Sequence, residues 1–590
     1  MFKGDSFREF RRAFLPYAII GFLCFSAGYF IHFGREAHAS GSWSYTLGPV
    51  DNLFYWSCAK GRMTVPRSDG NPFYFEQIGL RNAVPYTAAE VVGLISKHTK
   101  IPLEFFFPLW HILMPFLAWG ILVWCLWRFW KYSLETSMLV SALLFCATLF
   151  CASEWTLCFT RFSRPLDGLP WLYLWISLIF YGDGRNKWHV LALATSVFCA
   201  LWLHPFYAAF GFWITGWEIL GCLLKGKEAR PRLRFLWVAV LAGCIAGLGY
   251  YVSTSKGADI NRAMLDYINS FQNQFPFMLL ALGWVAFFLT ATFIFRFFFK
   301  RNATVLDRAI LEGASFGVFV MGAQVFVFRN SQLADHLFYF SMINILISAG
   351  WVCEKLQWLK EDKKQIVADI FFAGMTLLYG LVLALTKINF FHDDFPIPKK
   401  HYFMIYSVWF YYLVLVFFLY WRFQSLFSGL ARFKKSLIVG IVGLILLGFW
   451  QYPLNPANKE YPFVRAHQWL KENARANDVV LSLALKYLRM DYLFLRTGLK
   501  SYYSTYGDAF AGKGAQEALR PYLFVALLTG TLDEISFLQN MSLHDKLHLY
   551  KLNYILTEHT SLFLPFIRSK LQGFLKEVYR DEKCLIFQVL

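Results

Sequence analysis

One acidic side chain stands between the first long apolar run and a dense aromatic segment. Asp51 lies in the stretch PVDNLFYWSCAKGRM, and a second aromatic cluster, NPFYFE, follows at residues 71–76. A carboxylate at the edge of a membrane can take the proton of an attacking hydroxyl group, which is the role of a general base. Asp51 is therefore our candidate catalytic residue. The structural alternative is that Asp51 caps an amphipathic helix that begins at Leu53.

Two arginines stand three residues apart in the segment FTRFSRPLDG. Arg161 and Arg164 would share one face of a helical turn, and two guanidinium groups arranged in this way suit a phosphate or diphosphate. Both side chains would equally serve as anchors among lipid headgroups. Glu154 precedes them and is a further candidate acid.

Three more basic side chains follow at the predicted outer ends of apolar runs. His204, Arg329 and His336 are further candidate site residues. His204 precedes a proline in LHPFY and could instead be a capped histidine at the membrane interface. Arg329 could instead form a structural ion pair with Asp335 and His336 that closes a short loop.

The remaining candidate acids lie at the same predicted ends. They are Asp335 and the adjacent pair Asp393 and Asp394. Ionisable residues at membrane depth are costly, so those that persist there invite a functional interpretation. The alternative for the adjacent pair is a hydrated turn.

The composition indicates a polytopic membrane protein. Of the 590 residues, 57% are hydrophobic and 20% aromatic, whereas 16% are charged. A soluble chain could not keep so much apolar surface from water. The net charge of +19 comes from short basic clusters between apolar runs, a pattern typical of membrane topology, so we predict no nucleic-acid partner.

A spanning helix needs about 20 apolar residues, which gives about thirteen candidate spans. They lie near residues 14–33, 105–127, 134–153, 166–182, 188–206, 207–224, 235–252, 276–297, 309–328, 336–353, 366–386, 403–421 and 436–451. The predicted fold class is thus an all-α polytopic membrane protein. Its membrane domain covers residues 1–451, with a long first outer loop at residues 34–104.

Basic loops predict the orientation. Lys3, Arg8, Arg11 and Arg12 precede the first span, so the N-terminus is predicted to be cytoplasmic. Alternation of the spans then places every strongly basic loop inside and residues 452–590 outside. That last stretch is long enough for a domain.

Residues 452–590 alternate between helix and strand patterns. We expect helices at 463–473, 514–528 and 563–578, and strands at 479–483, 552–556 and 584–590. This pattern predicts a small α/β domain outside the cytoplasm, in which no catalytic motif is evident.

Common catalytic and nucleotide-binding motifs are missing from the sequence. Walker A, GxGxxG and HExxH patterns are absent. The predicted outer loops hold no pair of acids with DxD spacing, so a divalent metal is not supported and we predict no cofactor. The eleven cysteines contain no CxxC pair, which argues against a zinc or redox site.

The layout resembles the GT-C class of integral-membrane glycosyltransferases. The frame DNLFYWSCAKGR looks like the acid of that class followed by Tyr, Ala and Gly, and NPFYFE looks like its next loop segment. The resemblance implies a catalytic acid after the first helix, a long first outer loop and a C-terminal outer domain. It also implies transfer of a sugar from a polyprenyl-phosphate or polyprenyl-diphosphate carrier. On that basis we assign His204, Arg329 and His336 to binding of the carrier phosphate, together with the arginine pair.

Two differences from the oligosaccharyltransferase pattern restrict the kind of sugar transfer that the resemblance implies. Glu154 with Arg161 and Arg164 stands where oligosaccharyltransferases carry an acidic DxD-type pair, and no WWDYG-like motif follows. Asparagine glycosylation is therefore disfavoured, and we expect metal-independent, inverting transfer to an unidentified glycan, lipid or protein acceptor. The predicted location is a bacterial inner membrane with its lipids, and the C-terminal domain is predicted to be periplasmic.

Two other classes of function remain open at this point. A transporter or flippase would move a lipid-linked sugar without breaking its bond to phosphate. A non-catalytic scaffold of an envelope-assembly complex would tolerate substitution of Asp51 and Arg161.

Overall fold

The computed structural model describes the chain in several ranges. These are residues 4–40, 56–57, 59–61, 63, 87–132, 134, 137–138, 141, 167–253, 293, 304–323, 442–443, 446, 463–476, 478–483, 492–502, 545, 551–561 and 563–590. The predicted spans 336–353, 366–386 and 403–421 lie outside these ranges, so the predicted count of about thirteen spans stays a prediction.

Long helices dominate the first half of the chain. They are α1 (Gly4–Ser40), α2 (Thr87–Thr99), α3 (Leu103–Arg128), α4 (Leu169–Tyr181), α5 (Lys187–Leu203), α6 (Pro205–Lys225), α7 (Arg230–Ser253) and α8 (Val305–Ala323). All but α2 overlap a predicted span. The helix α2, inside the predicted first outer loop, was not expected, and α1 runs well beyond the predicted span 14–33.

Among the described residues, three helical stretches are long and apolar enough to cross a membrane. They are Phe14–Arg35, Leu103–Arg128 and Tyr207–Tyr250. The third stretch contains both α6 and α7, separated by a 3-10 turn, Gly226–Ala229. Gly226 has a φ of 70°, a left-handed conformation that glycine adopts without a steric penalty. The chain therefore reverses at this point instead of continuing as one helix.

Contacts between aromatic rings establish the relative direction of α1 and α3. The rings of Phe14 and Trp119 lie 5.6 Å apart, and those of Phe33 and His111 lie 5.2 Å apart. The start of α1 thus meets the middle of α3, and its later turns meet the beginning of α3, so the two helices are antiparallel. At the far end of α3, Trp130 Nε1 donates to Ser177 Oγ of α4 at 3.0 Å.

The helices α4 to α7 also alternate in direction. Trp202 packs against Tyr250 at the ends of α5 and α7, and Arg232 near the start of α7 donates to the Gly182 carbonyl at 2.7 Å. Helices α5 and α7 are consequently parallel, with α4 and α6 running the opposite way. Arg308 of α8 pairs with the buried Glu218 of α6 at 2.5 Å.

Basic side chains gather at one end of this helical layer. They belong to the last turn of α3, the 182–187 loop, the 225–234 connection and the first turn of α8: Arg128, Lys131, Arg185, Lys187, Lys225, Lys227, Arg230, Arg232, Arg234 and Arg308. This agrees with the charge bias read from the sequence. The side of the membrane that this end faces stays a prediction.

The described strands form one five-stranded mixed sheet late in the chain. The strands β1 (Val479–Ser482), β2 (Lys500–Ser501), β3 (Leu552–Glu558), β4 (Leu575–Arg580) and β5 (Cys584–Val589) pair in the order β2-β1-β3-β5-β4. β1 is parallel to β2 and β3, and β5 is antiparallel to β3 and β4. The same part of the chain contains three helices, α9 (Val464–Asn473), α10 (Tyr492–Thr497) and α11 (Leu564–Lys570).

One predicted helix in this region was wrong in its second half. The helix expected over 563–578 ends at Lys570, and residues 575–580 form β4 instead. Asp581 explains the difference, because its Oδ1 accepts from the backbone of Lys583 and Cys584 at 2.8 Å each. That tight turn folds β4 back onto β5, and sheet pairing overrides the local helical pattern. The predicted helix 514–528 and the boundary at residue 452 lie outside the described residues.

Close helix packing generates the first testable prediction. A Cβ at Gly211 of α6 would lie 2.5 Å from Trp175, whose ring is fully buried and whose Nε1 donates to Thr215. Gly211→Ala should therefore lower the free energy of unfolding by about 1–3 kcal/mol. Gly216→Ala is the matched control in the same helix, because nothing lies within 4 Å of a Cβ there. Thermal unfolding of the two variants in the same detergent would test this, and equal melting temperatures would contradict it.

A second prediction concerns pH and the sheet region. Burial, with a smaller contribution from the Arg496 charge, lowers the pKa of His467 in α9 from 6.5 to about 3. Unfolding exposes this imidazole, so the unfolded chain binds the extra proton as the pH falls below 6.5. Stability should fall by up to about 1.4 kcal/mol per pH unit in the window between these two pKa values.

The measurement is hydrogen exchange of the β1 and β3 amides at pH 7 and pH 5, corrected for intrinsic rates. His467→Gln should remove most of the additional exchange at pH 5. The same acid-induced loss of protection in this variant would assign the pH effect to other groups.

Candidate functional site

His204 is the predicted site residue that falls within the described ranges. The other candidates lie outside them, and their predicted roles remain untested: Asp51, Glu154, Arg161, Arg164, Arg329, Asp335, His336, Asp393 and Asp394. Two described regions bear on the candidate site: the surroundings of His204 and the described part of the predicted first outer loop.

His204 forms the junction between α5 and α6. Pro205 has no backbone N–H and disfavours a helical residue before it, so α5 must end here. The backbone of His204 is extended, its N–H donates to the Ala200 carbonyl at 2.9 Å, and its carbonyl accepts from Tyr207 N at 2.9 Å. His204 thus caps both helices through its backbone.

The imidazole of His204 is buried against an aromatic ring. Its centroid lies 4.3 Å from that of Tyr207, and 4% of the residue is exposed. These contacts support the structural alternative, a capped histidine at a helix junction. Its assignment to phosphate binding stays a prediction.

The end of the arginine-bearing segment meets this junction. A Cβ at Gly168 would lie 2.9 Å from the Tyr207 ring and 3.1 Å from the His204 Cβ, so glycine permits the close approach. Asp167, next to it, is also buried. Asp167 and Gly168 directly follow Arg164, Pro165 and Leu166 in the chain. Gly168, four residues after Arg164 in the chain, therefore lies against His204.

A second polar and aromatic cluster lies where the described residues after Asp51 pack on α1 and α3. Residues 56–57, 59–61 and 63 are helical, in agreement with part of the helix predicted after Asp51. Trp56 is fully buried and lies 6.4 Å from His111 of α3, which also contacts Tyr29 and Phe33 of α1. Neither ring nitrogen of His111 has a hydrogen-bond partner within the described part of the chain. The segment that follows Asp51 is thus packed directly onto the ends of two long helices.

The helix α2 connects the two clusters. It packs against both α3 and α5. Its Ser96 Oγ donates to the Ile101 carbonyl at 2.6 Å and contacts Met63 Sδ at 3.4 Å. The first-loop segment and the helix that ends at His204 are consequently held by one element.

Charged residues of the late sheet region meet the first-loop segment. Arg496 of α10 pairs with Glu104 in the first turn of α3 at 3.8 Å. Lys60 interacts electrostatically with Glu104, Lys471 and Arg496, and burial lowers its pKa. No group of three or more His, Cys, Asp or Glu side chains that could hold a metal ion occurs among the residues the structure describes.

Comparison with known proteins gives one informative result. No protein-family model matches the sequence, and no curated protein matches it significantly. Among solved structures, the chain is similar to the crystal structure of ArnT from Cupriavidus metallidurans bound to undecaprenyl phosphate. The two are 12% identical, the match covers 98% of each chain, and the TM-score is 0.51.

The chain shares the fold of this ArnT structure. Since the match covers nearly the whole of both chains, the predicted resemblance in architecture is confirmed. Identity of 12% shows a shared fold and does not transfer individual site residues.

Sequence reasoning missed the polar residues that lie inside apolar runs. His32 and His111 are buried at the ends of α1 and α3 nearest the first loop, and neither was a candidate. Each stands alone in a long apolar run, and only the folded chain brings them together. Lys60 and Arg496 were missed because more than four hundred residues separate them.

The third prediction separates ring packing from polar function at His204. His204→Ala should lower the free energy of unfolding by about 1–3 kcal/mol, because it empties a buried space beside Tyr207. His204→Phe keeps a ring there and should lose much less. Thermal unfolding of both variants in detergent measures this difference. Equal losses would show that polar contacts of the imidazole, and not its ring contact, stabilise the junction.

Proposed function

We propose that this chain is a membrane glycosyltransferase that takes a sugar from a polyprenyl-phosphate or polyprenyl-diphosphate carrier. The observation that carries the proposal is the match to ArnT over 98% of both chains. That structure holds undecaprenyl phosphate, so a lipid-phosphate donor is the substrate class that the likeness favours. The acceptor is a glycan, lipid or protein outside the cytoplasm.

The proposed chemistry assigns two kinds of group. Asp51 takes the proton of the acceptor hydroxyl, which then attacks the anomeric carbon. The carrier phosphate leaves with the bonding electrons, and Arg161, Arg164 and Arg329 stabilise its charge, assisted by His204 or His336. A single displacement of this kind inverts the anomeric centre, and no divalent metal takes part in it.

The described residues support a shared location for these groups. The segment after Asp51 packs onto α1 and α3, and Gly168, four residues after Arg164, lies against His204. Helix α2 packs between these two regions, on α3 and on α5. Both regions lie at the end of the helices opposite the basic side chains, which the positive-inside rule would place outside the cytoplasm. A bacterial inner membrane with residues 452–590 in the periplasm is the proposed setting.

The decisive variant is Asp51→Asn. Loss of the general base should reduce sugar transfer by at least about a hundredfold, while expression and thermal stability remain. Asp69→Asn, in the same loop and with no proposed role, is the matched control and should retain activity. Transfer is measured as loss of the sugar from a radiolabelled polyprenyl-phosphate-linked sugar in membranes that contain the native acceptors.

Product formation at the wild-type rate by Asp51→Asn would remove this residue from the mechanism. Mass spectrometry of the carrier distinguishes the alternatives as well. A transferase releases polyprenyl phosphate or diphosphate, and a flippase returns the intact sugar-linked lipid. A scaffold leaves both the structure and the location of the sugar-linked lipid unchanged.

A further inference from the structure

A buried imidazole lies beneath the described residues that follow Asp51. We call residues 56–57, 59–61 and 63 the first-loop segment. His111 of α3 is 5% exposed, and neither of its ring nitrogens has a hydrogen-bond partner within the described part of the chain. Its neighbours are the rings of Tyr29, Phe33 and Trp56. An imidazole carries at least one N–H donor in either protonation state, and these ring contacts do not provide its acceptor.

The bilayer cannot supply a partner for this side chain. His111 lies within Leu103–Arg128, one of the described stretches that are long and apolar enough to cross a membrane. Hydrocarbon offers no hydrogen bond, and a buried polar atom left unpaired costs its full loss of hydration. His32 of α1 is close enough to interact electrostatically with His111, but no hydrogen bond joins the two rings. In native proteins, buried polar atoms that lack a protein partner typically bind ordered water.

The backbone of α3 at the same residue also lacks its usual donor. Pro115 lies inside this helix. In an α-helix the N–H of residue 115 would donate to the carbonyl of residue 111, and proline has no N–H. Inside membranes, ordered waters and polar side chains pair with carbonyls that proline frees in this way. The side chain and the carbonyl of His111 therefore both have hydrogen-bonding capacity that the helix does not use.

The first-loop segment contributes a second buried polar atom. Ser57 is fully buried, and its Oγ has no hydrogen-bond partner among the residues that the structure describes. It directly follows Trp56, whose ring centroid lies 6.4 Å from that of His111. A buried water needs two to four polar partners. The imidazole and carbonyl of His111 and the hydroxyl of Ser57 are groups of the required kind.

We propose that His111 binds a buried water molecule, and that this water, held also by Ser57, joins the first-loop segment to α3. Trp56 stands five residues after Asp51, so the water holds the part of the chain that leads out of the candidate base. The water site does not depend on the proposed transfer reaction, because its tests measure hydration and stability alone.

The direct test detects water at the imidazole. The full-length chain, labelled with 15N-histidine, is placed in phosphatidylcholine nanodiscs, and solid-state NMR records polarisation transfer from water protons to the ring nitrogens. Transfer to His111 is expected, and its signal is assigned by its loss in His111→Gln. His98, exposed in the last turn of α2, is the control that must receive transfer from bulk water. Transfer to His98 without transfer to His111 would overturn the proposal.

Thermal unfolding provides a test in which the two readings differ in sign. If the imidazole of His111 is unpaired, His111→Phe replaces costly polar atoms by carbon and should raise the melting temperature. If the imidazole binds water, this variant should melt about 2 °C lower or more. His111→Gln keeps a donor and an acceptor and should lose less than His111→Phe. A melting temperature of His111→Phe at or above that of the wild type would contradict the water site. The NMR measurement on the unaltered chain stands even if His111→Phe does not fold.

A double-mutant cycle tests whether Ser57 shares the water. Ser57→Ala added to His111→Phe should cause little further loss, because the first change already removes the shared water. Ser96→Ala is the matched control, since the Ser96 hydroxyl donates to the Ile101 carbonyl at 2.6 Å instead. Its loss should add to that of His111→Phe. Fully additive losses for Ser57→Ala would show that no water links the first-loop segment to His111.

Discussion

The penalty for placing charge inside hydrocarbon determines how the described helices are arranged. A charged side chain at the centre of a bilayer costs several kcal/mol or more, so such groups move to helix ends or find partners. Arg128, Lys187 and Arg230 accordingly lie at helix ends on one side of the layer. Glu218, buried within α6, is tolerated because Arg308 pairs with it at 2.5 Å.

Close backbone approach is the second requirement, because lipid provides no hydrophobic force between helices. Association then depends on van der Waals contact, and small residues let large rings fill the space. Gly211 admits Trp175, and Gly168 admits His204 and Tyr207. Close approach at a glycine thus packs α4 on α6, and it also places Gly168 at the end of α5.

The opposite end of the layer brings together residues from distant parts of the chain. There the first-loop segment covers His111 and Phe33, and Arg496 from the late sheet region reaches Glu104. Residues that are distant in the chain are thereby brought to one surface, a condition for any reaction that needs a base and cations together. The fold that the chain shares with ArnT over 98% of its length accounts for this arrangement at the level of architecture.

The sequence by itself determined that the chain is a membrane protein. It also placed most ends of the described spans to within a few residues and predicted at which ends the basic side chains gather. These follow from composition and local periodicity, which depend on the bilayer and not on distant contacts. The positions of β1, β3 and β5 were also predicted from the sequence, because their buried residues are mostly apolar. The helix expected over 563–578 failed because the partner of β4 is β5, and the turn at Asp581 enforces that pairing. Only the tertiary structure brought His32 near His111 and Lys60 near Arg496. Each of these side chains is isolated in its own segment, and the local sequence does not specify which distant residue it will contact.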